Sequence, residues 1–294
     1  MHAHSHINHG KLNRIAGVVA ISVASFLVLI KLFAWIQTDS LSIFSSLIDS
    51  SLDVATSLIN FLAISYALKP ADEDHPYGHE SIEDIVGLVQ ASLIFGSAFF
   101  ICYEGIQRFI DPVAVEENLL GIQIMLVSIL LTTALVIYQK IIIKRTKSLV
   151  VESDSAHYVS DIFSGILIII SLFLTKNSAL YFLDPLLGLL IAGFISYSAY
   201  GIGKRAFDNL MNKEISAEDK GKVIALIEAN KNHNGFHDFK TRCSGNKIFI
   251  QFDLELDGNL SLQRAHDISD EVMADIMNLY PNSEVVIHFD THKD

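Results

Sequence analysis

Cysteine is nearly absent: Cys102 and Cys243 are the only two in 294 residues. That scarcity excludes a disulfide framework and any CxxC zinc motif, both of which need several thiols at set spacings. Charge is scarce as well, at 18% against an apolar share of 51%, where soluble chains carry about 25% charged residues. What charge there is leans acidic, with 33 Asp and Glu against 21 Lys and Arg and a net charge of −12. Nucleic-acid partners are excluded on that balance, because phosphate backbones are met by basic surfaces. No HExxH helix occurs, which removes the usual zinc-hydrolase signature. The opening MHAHSHINHGKLNR lacks the basic start, short apolar core and cleavage site of a signal peptide, so the first apolar run is expected to remain as a spanning helix.

What the sequence does have is long apolar runs. Six stretches, roughly 13–36, 41–67, 83–108, 119–143, 151–174 and 180–203, reach the length that crosses a bilayer, about 20 residues. Polar breaks separate them, among them KPADEDHPYGHES, DPVAVEEN, IIIKRTKS and TKNSAL. Lys11, Arg14, Lys69, Lys140, Lys144, Arg145, Lys147, Lys204 and Arg205 fall on one side, and little beyond Arg108 and Lys176 on the other. The basic side is cytoplasmic by the positive-inside rule, so both termini are expected inside.

From residue 209 the period changes. EISAEDKGKVIALIEANK reads as an amphipathic helix with Val223, Ile224 and Ile227 on one face. HDFKTRCSG and NKIFIQFDLELDG alternate on either side of a turn, a hairpin signal. SLQRAHDISDEVMADIMNLYP is a second helix with Ser261 as N-cap, and SEVVIHFD is a last strand. The expected architecture is an all-α six-helix transmembrane domain (12–208) and a cytoplasmic α+β domain (209–294) of order αββαβ. The latter is expected to be ferredoxin-like or metallochaperone-like, a small sheet with helices on one face. A His-rich cytoplasmic tail (1–11) precedes both.

Two of the spans carry charge where charge is costly. Asp49 and Asp53 stand four residues apart in DSSLD, and His157 and Asp161 repeat that spacing in HYVSD. An aspartate at mid-membrane costs about 2.5–3.5 kcal/mol on the insertion scale, so three unpaired ones cost roughly 8–10. Residues at i and i+4 share a helix face. Two such faces packed together gather three carboxylates and one imidazole. Lys31 is the one mid-run lysine available to offset them; a cation from solution is expected to do so. The donor set suits tetrahedral Zn²⁺, while imidazole also accepts Fe²⁺ and other first-row ions, and Cd²⁺ follows zinc. A site filled by four protein ligands leaves no open position for catalytic water. Transport is the expected activity, and an enzyme is not.

DSSLD in the second span, HYVSD in the fifth, the six spans and the acidic αββαβ tail together resemble the cation diffusion facilitator family, in its bacterial zinc and ferrous-iron efflux branch. The resemblance covers residues 10–292. It implies a homodimeric metal/proton antiporter of the bacterial inner membrane that works by alternating access, with lipid, metal ions and protons as partners. Asp49, Asp53, His157 and Asp161 would be its transport site. Asp72, His75 and His79 match by position an accessory metal site in the loop after the second span. His237, Asp253, His266, His288 and Asp290 fall where the family builds a cytoplasmic two-metal site. Asp253 stands on a strand position where the resemblance implies histidine. The alternatives are a membrane-tethered metal sensor, which gives no reason for charge inside the bilayer, or the same transporter with Fe²⁺ or Mn²⁺ as main substrate.

Overall fold

The computed structural model describes residues 3–38, 41–110, 119–174 and 183–291. The expected breaks DPVAVEEN and TKNSAL, Lys176, and the side chains of Arg108 and of the residues before Gly10 lie outside the described residues. The chain forms two compact units, residues 10–206 and residues 207–291 with 3–9, so the long helices lie mainly in the first.

The first unit is built from long helices: α1 (Ala3–Thr38), α2 (Leu41–Ala67), α3 (Ser81–Ile110), α4 (Leu119–Thr146), α5 (Leu149–Leu174) and α6 (Leu183–Leu210). Among the described residues, five of them are long and apolar enough to cross a membrane: α1, α2, α3, α4 and α6. The remaining one, α5, carries Glu152, Asp154, His157 and Asp161 in its first half. Helix α1 begins at Ala3, so it takes in most of the segment expected as a histidine-rich tail.

Alanines make the helix contacts. Ala16, Ala20 and Ala24 are buried at four-residue intervals on α1, and Ala192, Ala199 and Ala206 at seven-residue intervals on α6. Lipid tails are as apolar as leucine, so helices in a bilayer gain from close backbone approach, which small residues permit. Gly87 on α3 serves the same end. A Cβ there would lie 2.7 Å from Leu149 Cδ2 at the start of α5.

The second unit carries α7 (Ala217–Ala229), β1 (Gly235–Ser244), β2 (Lys247–Leu256), α8 (Leu262–Leu279) and β3 (Ser283–Thr291). Ser216 caps α7 by accepting from the Asp219 N–H at 3.1 Å, and Ser261 caps α8 by accepting from the Arg264 N–H at 3.3 Å. The sheet order is β1-β2-β3. Strands β1 and β2 form an antiparallel hairpin through Gly245, whose φ of +54° the turn requires. Strands β2 and β3 are parallel, so a crossover must join them, and α8 is that crossover. Alternation sends Ile250, Phe252, Leu254 and Leu256 into one core with Val223, Ile227, Ile268, Val272 and Ile276 from the helices. The other face of the sheet carries mostly polar side chains, with Phe249 and Val286 among them.

Candidate metal centre

Period and packing together build the membrane cluster. His157 on α5 reaches across to α2, where its Nε2 lies 3.1 Å from Asp53 Oδ1. The same nitrogen is 3.9 Å from Asp161 Oδ2, one turn along α5. One donor atom from each of Asp53, His157 and Asp161 lies within 4.8 Å of the others. A tetrahedral shell with bonds of about 2.0–2.2 Å holds its donors some 3.3–3.5 Å apart, so small rotations close these three around an ion. Asp49, one turn before Asp53, is exposed and stands outside that trio. Three of the four sequence-predicted ligands are therefore gathered. Lys31 on α1 is buried beside them, its Nζ donating to Ser50 Oγ at 2.7 Å and to the Ser46 carbonyl at 3.2 Å. Its charge acts on Asp53, Asp49 and Asp161.

The loop between α2 and α3 brings together all three of its expected residues. Asp72 Oδ1 accepts the backbone N–H of His75 at 2.7 Å and that of Asp74 at 3.1 Å, which folds the loop around its carboxylate. The N–H of His75 holds the Asp72 carboxyl below its ordinary value, with the His75 side chain and the His79 charge adding to the effect. His75 Nδ1 is 3.2 Å and His79 Nε2 3.3 Å from that carboxylate. The two imidazoles lie 4.5 Å apart with their planes tilted by 39°, and His79 packs edge-on to Tyr66. His79 is buried while Asp72 is half exposed, so this trio can hold a cation with water completing the shell.

In the second unit the open sheet face collects the donors. Register pairs His237 with Asp253 across β1 and β2, and Asp253 with His288 and Glu255 with Asp290 across β2 and β3. Paired residues share a face, opposite the apolar residues that alternate with them. His237 Nε2 is 3.7 Å from Asp290 Oδ2 and 3.9 Å from Asp253 Oδ2, and its Nδ1 is 3.2 Å from Glu255 Oε1. His266 lies on α8 instead, 3.6 Å from Asp270. It is not among the residues grouped with His237.

The family described as cation efflux transmembrane domain matches residues 17–211. The chain belongs to the cation efflux family. The family's cytoplasmic domain matches residues 215–292. Protein p34 of Rickettsia rickettsii (strain Sheila Smith) is 38% identical over 96% of this chain and 93% of its own. The cation-efflux pump FieF of Shewanella oneidensis is 39% identical over 94% of this chain and 93% of its own. The metal-bound C-terminal domain of the CzcD transporter from Thermotoga maritima is 27% identical over 25% of this chain and 87% of its own, at a TM-score of 0.24. This cation diffusion facilitator, of the FieF-like branch, is thus an integral membrane transporter for cation efflux and not an enzyme.

Sequence reasoning about this cation efflux protein passed over three groups. Asp154 sits three residues before His157 on the same face of α5, so the i−3 spacing was the signal for it. Glu255 follows Asp253 by two residues, the strand period that keeps both on one face. Asp238, grouped with His237 and Asp253, sits in a β-bulge at φ +51°, and no pattern in the sequence marks it.

Proposed function

We propose that this transporter exports a divalent d-block cation, Zn²⁺ first and Fe²⁺ or Cd²⁺ next, from the bacterial cytoplasm in exchange for protons. The observation that carries the reading is the Asp53–His157 contact at 3.1 Å, completed by Asp161, between two long helices of the membrane unit. In this reading α5 is a sixth crossing, both termini are cytoplasmic, and the protein works in the inner membrane as a homodimer. The cytoplasmic-domain match supports the pairing of two chains. Asp49 joins the shell by a side-chain rotation from the turn before Asp53.

Exchange follows from the donors. A carboxylate or imidazole must lose its proton to bind metal, so loading releases protons and protonation releases metal. An ordinary imidazole titrates near pH 6.5, about the pH span between the two faces of an energised inner membrane. An acidic outer face therefore favours unloading outside.

Asp72, His75 and His79 form an accessory cation site on the cytoplasmic side of this scheme. His237, Asp253, Glu255, His288 and Asp290 form a carboxylate-rich one on the tail, where a bound ion ties the three strands together.

The test is transport by the purified full chain in proteoliposomes, with Zn²⁺, Fe²⁺, Cd²⁺ and Mn²⁺ compared under an imposed pH gradient. Zinc flux that rises with the gradient is the expected result. Zinc flux indifferent to the gradient rejects proton exchange, and a stronger flux of Mn²⁺ than of Zn²⁺ rejects the metal assignment.

A further inference from the structure

Exposure changes sharply along the two helices that carry the membrane cluster. Towards the N-terminus of α2 and the C-terminal half of α5, Asp49 is exposed and the Asp161 side chain is 41% exposed. At the cluster itself Asp53 and His157 fall to 17% and 19%. One and two turns further, towards the C-terminus of α2 and the start of α5, Ser57, Asn60 and Asp154 are at most 4% exposed. Carboxylates facing lipid are strongly disfavoured, so the exposed end is the watered one. The buried end is closed.

What closes it is polar. Asp154 accepts from Asn60 Nδ2 at 2.7 Å, from Gln139 Nε2 at 2.6 Å and, more weakly, from Ser57 Oγ at 3.5 Å. Asn60 Oδ1 in turn accepts from Gln90 Nε2 at 2.7 Å, and Ser57 Oγ lies 2.7 Å from the Tyr158 hydroxyl. This ring joins α2, α3, α4 and α5. Ser57 and Asn60 continue the Asp53 face of α2 by four and seven residues, and Asp154 continues the His157 face of α5 by three. A permanent structural tie would satisfy all its polar atoms. Among the described residues, Gln90 Oε1 and Gln139 Oε1 are buried with no hydrogen-bond partner, so the closed arrangement is bonded below its capacity.

We propose that Asp154 and the amides around it are the plug that seals the ion path on the cytoplasmic side. The plug opens when the α2–α5 faces part and re-forms once the cation has passed to the Asp53–His157 cluster. Asp154 is a positioning residue here, not a ligand of the transport site. The inference rests on the transport-site and orientation readings above. It goes beyond them in placing a gate in a hydrogen-bonded carboxylate.

The test uses the full-length protein in proteoliposomes and compares Asp154→Asn, the exchanged pair Asp154→Asn with Gln139→Glu, and Asp53→Ala. Turnover, equilibrium Zn²⁺ affinity by calorimetry, and hydrogen exchange along α2 and α5 are measured on each. Losing one buried charged partner should slow turnover about tenfold in Asp154→Asn. Exchange should speed up around residues 55–61 and 150–156, while Zn²⁺ affinity stays within about threefold. The exchanged pair, which restores one carboxylate facing one amide, should recover most of the turnover. Native turnover and exchange in Asp154→Asn, with Asp53→Ala inactive, overturns the plug alone. Zn²⁺ affinity lost in Asp154→Asn as fully as in Asp53→Ala also overturns it, by making Asp154 a ligand. Native transport by Asp53→Ala overturns the transport-site reading instead.

Discussion

His157 Nε2 stands 3.1 Å from Asp53 Oδ1, across the contact between α5 and α2. Asp161, the partner His157 has one turn along its own helix, stands farther off at 3.9 Å, so the Asp53–His157 pair tests the membrane cluster directly. Outer-shell partners of a bound metal are already worth about 10–100-fold in affinity. Asp53→Ala or His157→Ala is therefore expected to weaken Zn²⁺ binding at the cluster by at least about a hundredfold. Calorimetry on the detergent-solubilised protein measures it.

The loop trio separates from the membrane cluster by the same method. His79 is held by Asp72, His75 and Tyr66 together. His79→Ala should remove one bound metal equivalent per chain. It should leave the membrane site's affinity within about threefold, because the loop trio and the membrane trio form separate groups.

Acid and base should both loosen the second unit. Ser216, followed by the Tyr280 hydroxyl, hydrogen-bonds the Asp219 carboxylate and holds it below its ordinary 3.8. A depressed carboxylate stabilises the fold above that value, and the contribution is lost as pH falls through the lowered one. Tyr280 moves the opposite way. Burial, with Asp219 beside it, raises it from 10.0 to about 12. Its contribution is complete below pH 10.0 and fades as pH rises towards about 12. Tyr280→Phe should flatten the alkaline limb of a circular-dichroism pH titration and shorten the acid plateau. Asp219→Asn should remove the acid limb's share.

Core loss should be larger than either. Phe252 is fully buried among Val223, Ile268, Val272 and Ile276. Phe252→Ala should cost about 3–5 kcal/mol and lower the melting temperature of the second unit. A denaturant titration followed by circular dichroism measures the change.

Much of this molecule could be read from spacing alone. Asp49, Asp53, His157 and Asp161 announce themselves because charge inside a long apolar run has few uses, and i, i+4 fixes the face. Ser261 was legible as a cap because its neighbours begin a helical period. Asp154 was not, although it lies on the same face. Its meaning depends on Asn60, Gln90 and Gln139, amides from three other helices that no local window contains. His266 shows the opposite limit. Its residue type suits a metal, yet it faces Asp270 on α8 while the strands gather their own donors. Asp238 needed a bulge, a backbone irregularity that alternation cannot foretell.

The pairing of Asp253 with His288 joins two strands through a parallel register in which every second residue is apolar. Lengthening or trimming β2 by one position would swap the faces, thrusting Asp253 and Glu255 into oil and Phe252 and Leu254 into water. The polar residues of this face can thus be altered by exchanging one side chain for another, but not by insertion or deletion. Changes to this face that keep the fold are confined to point replacements.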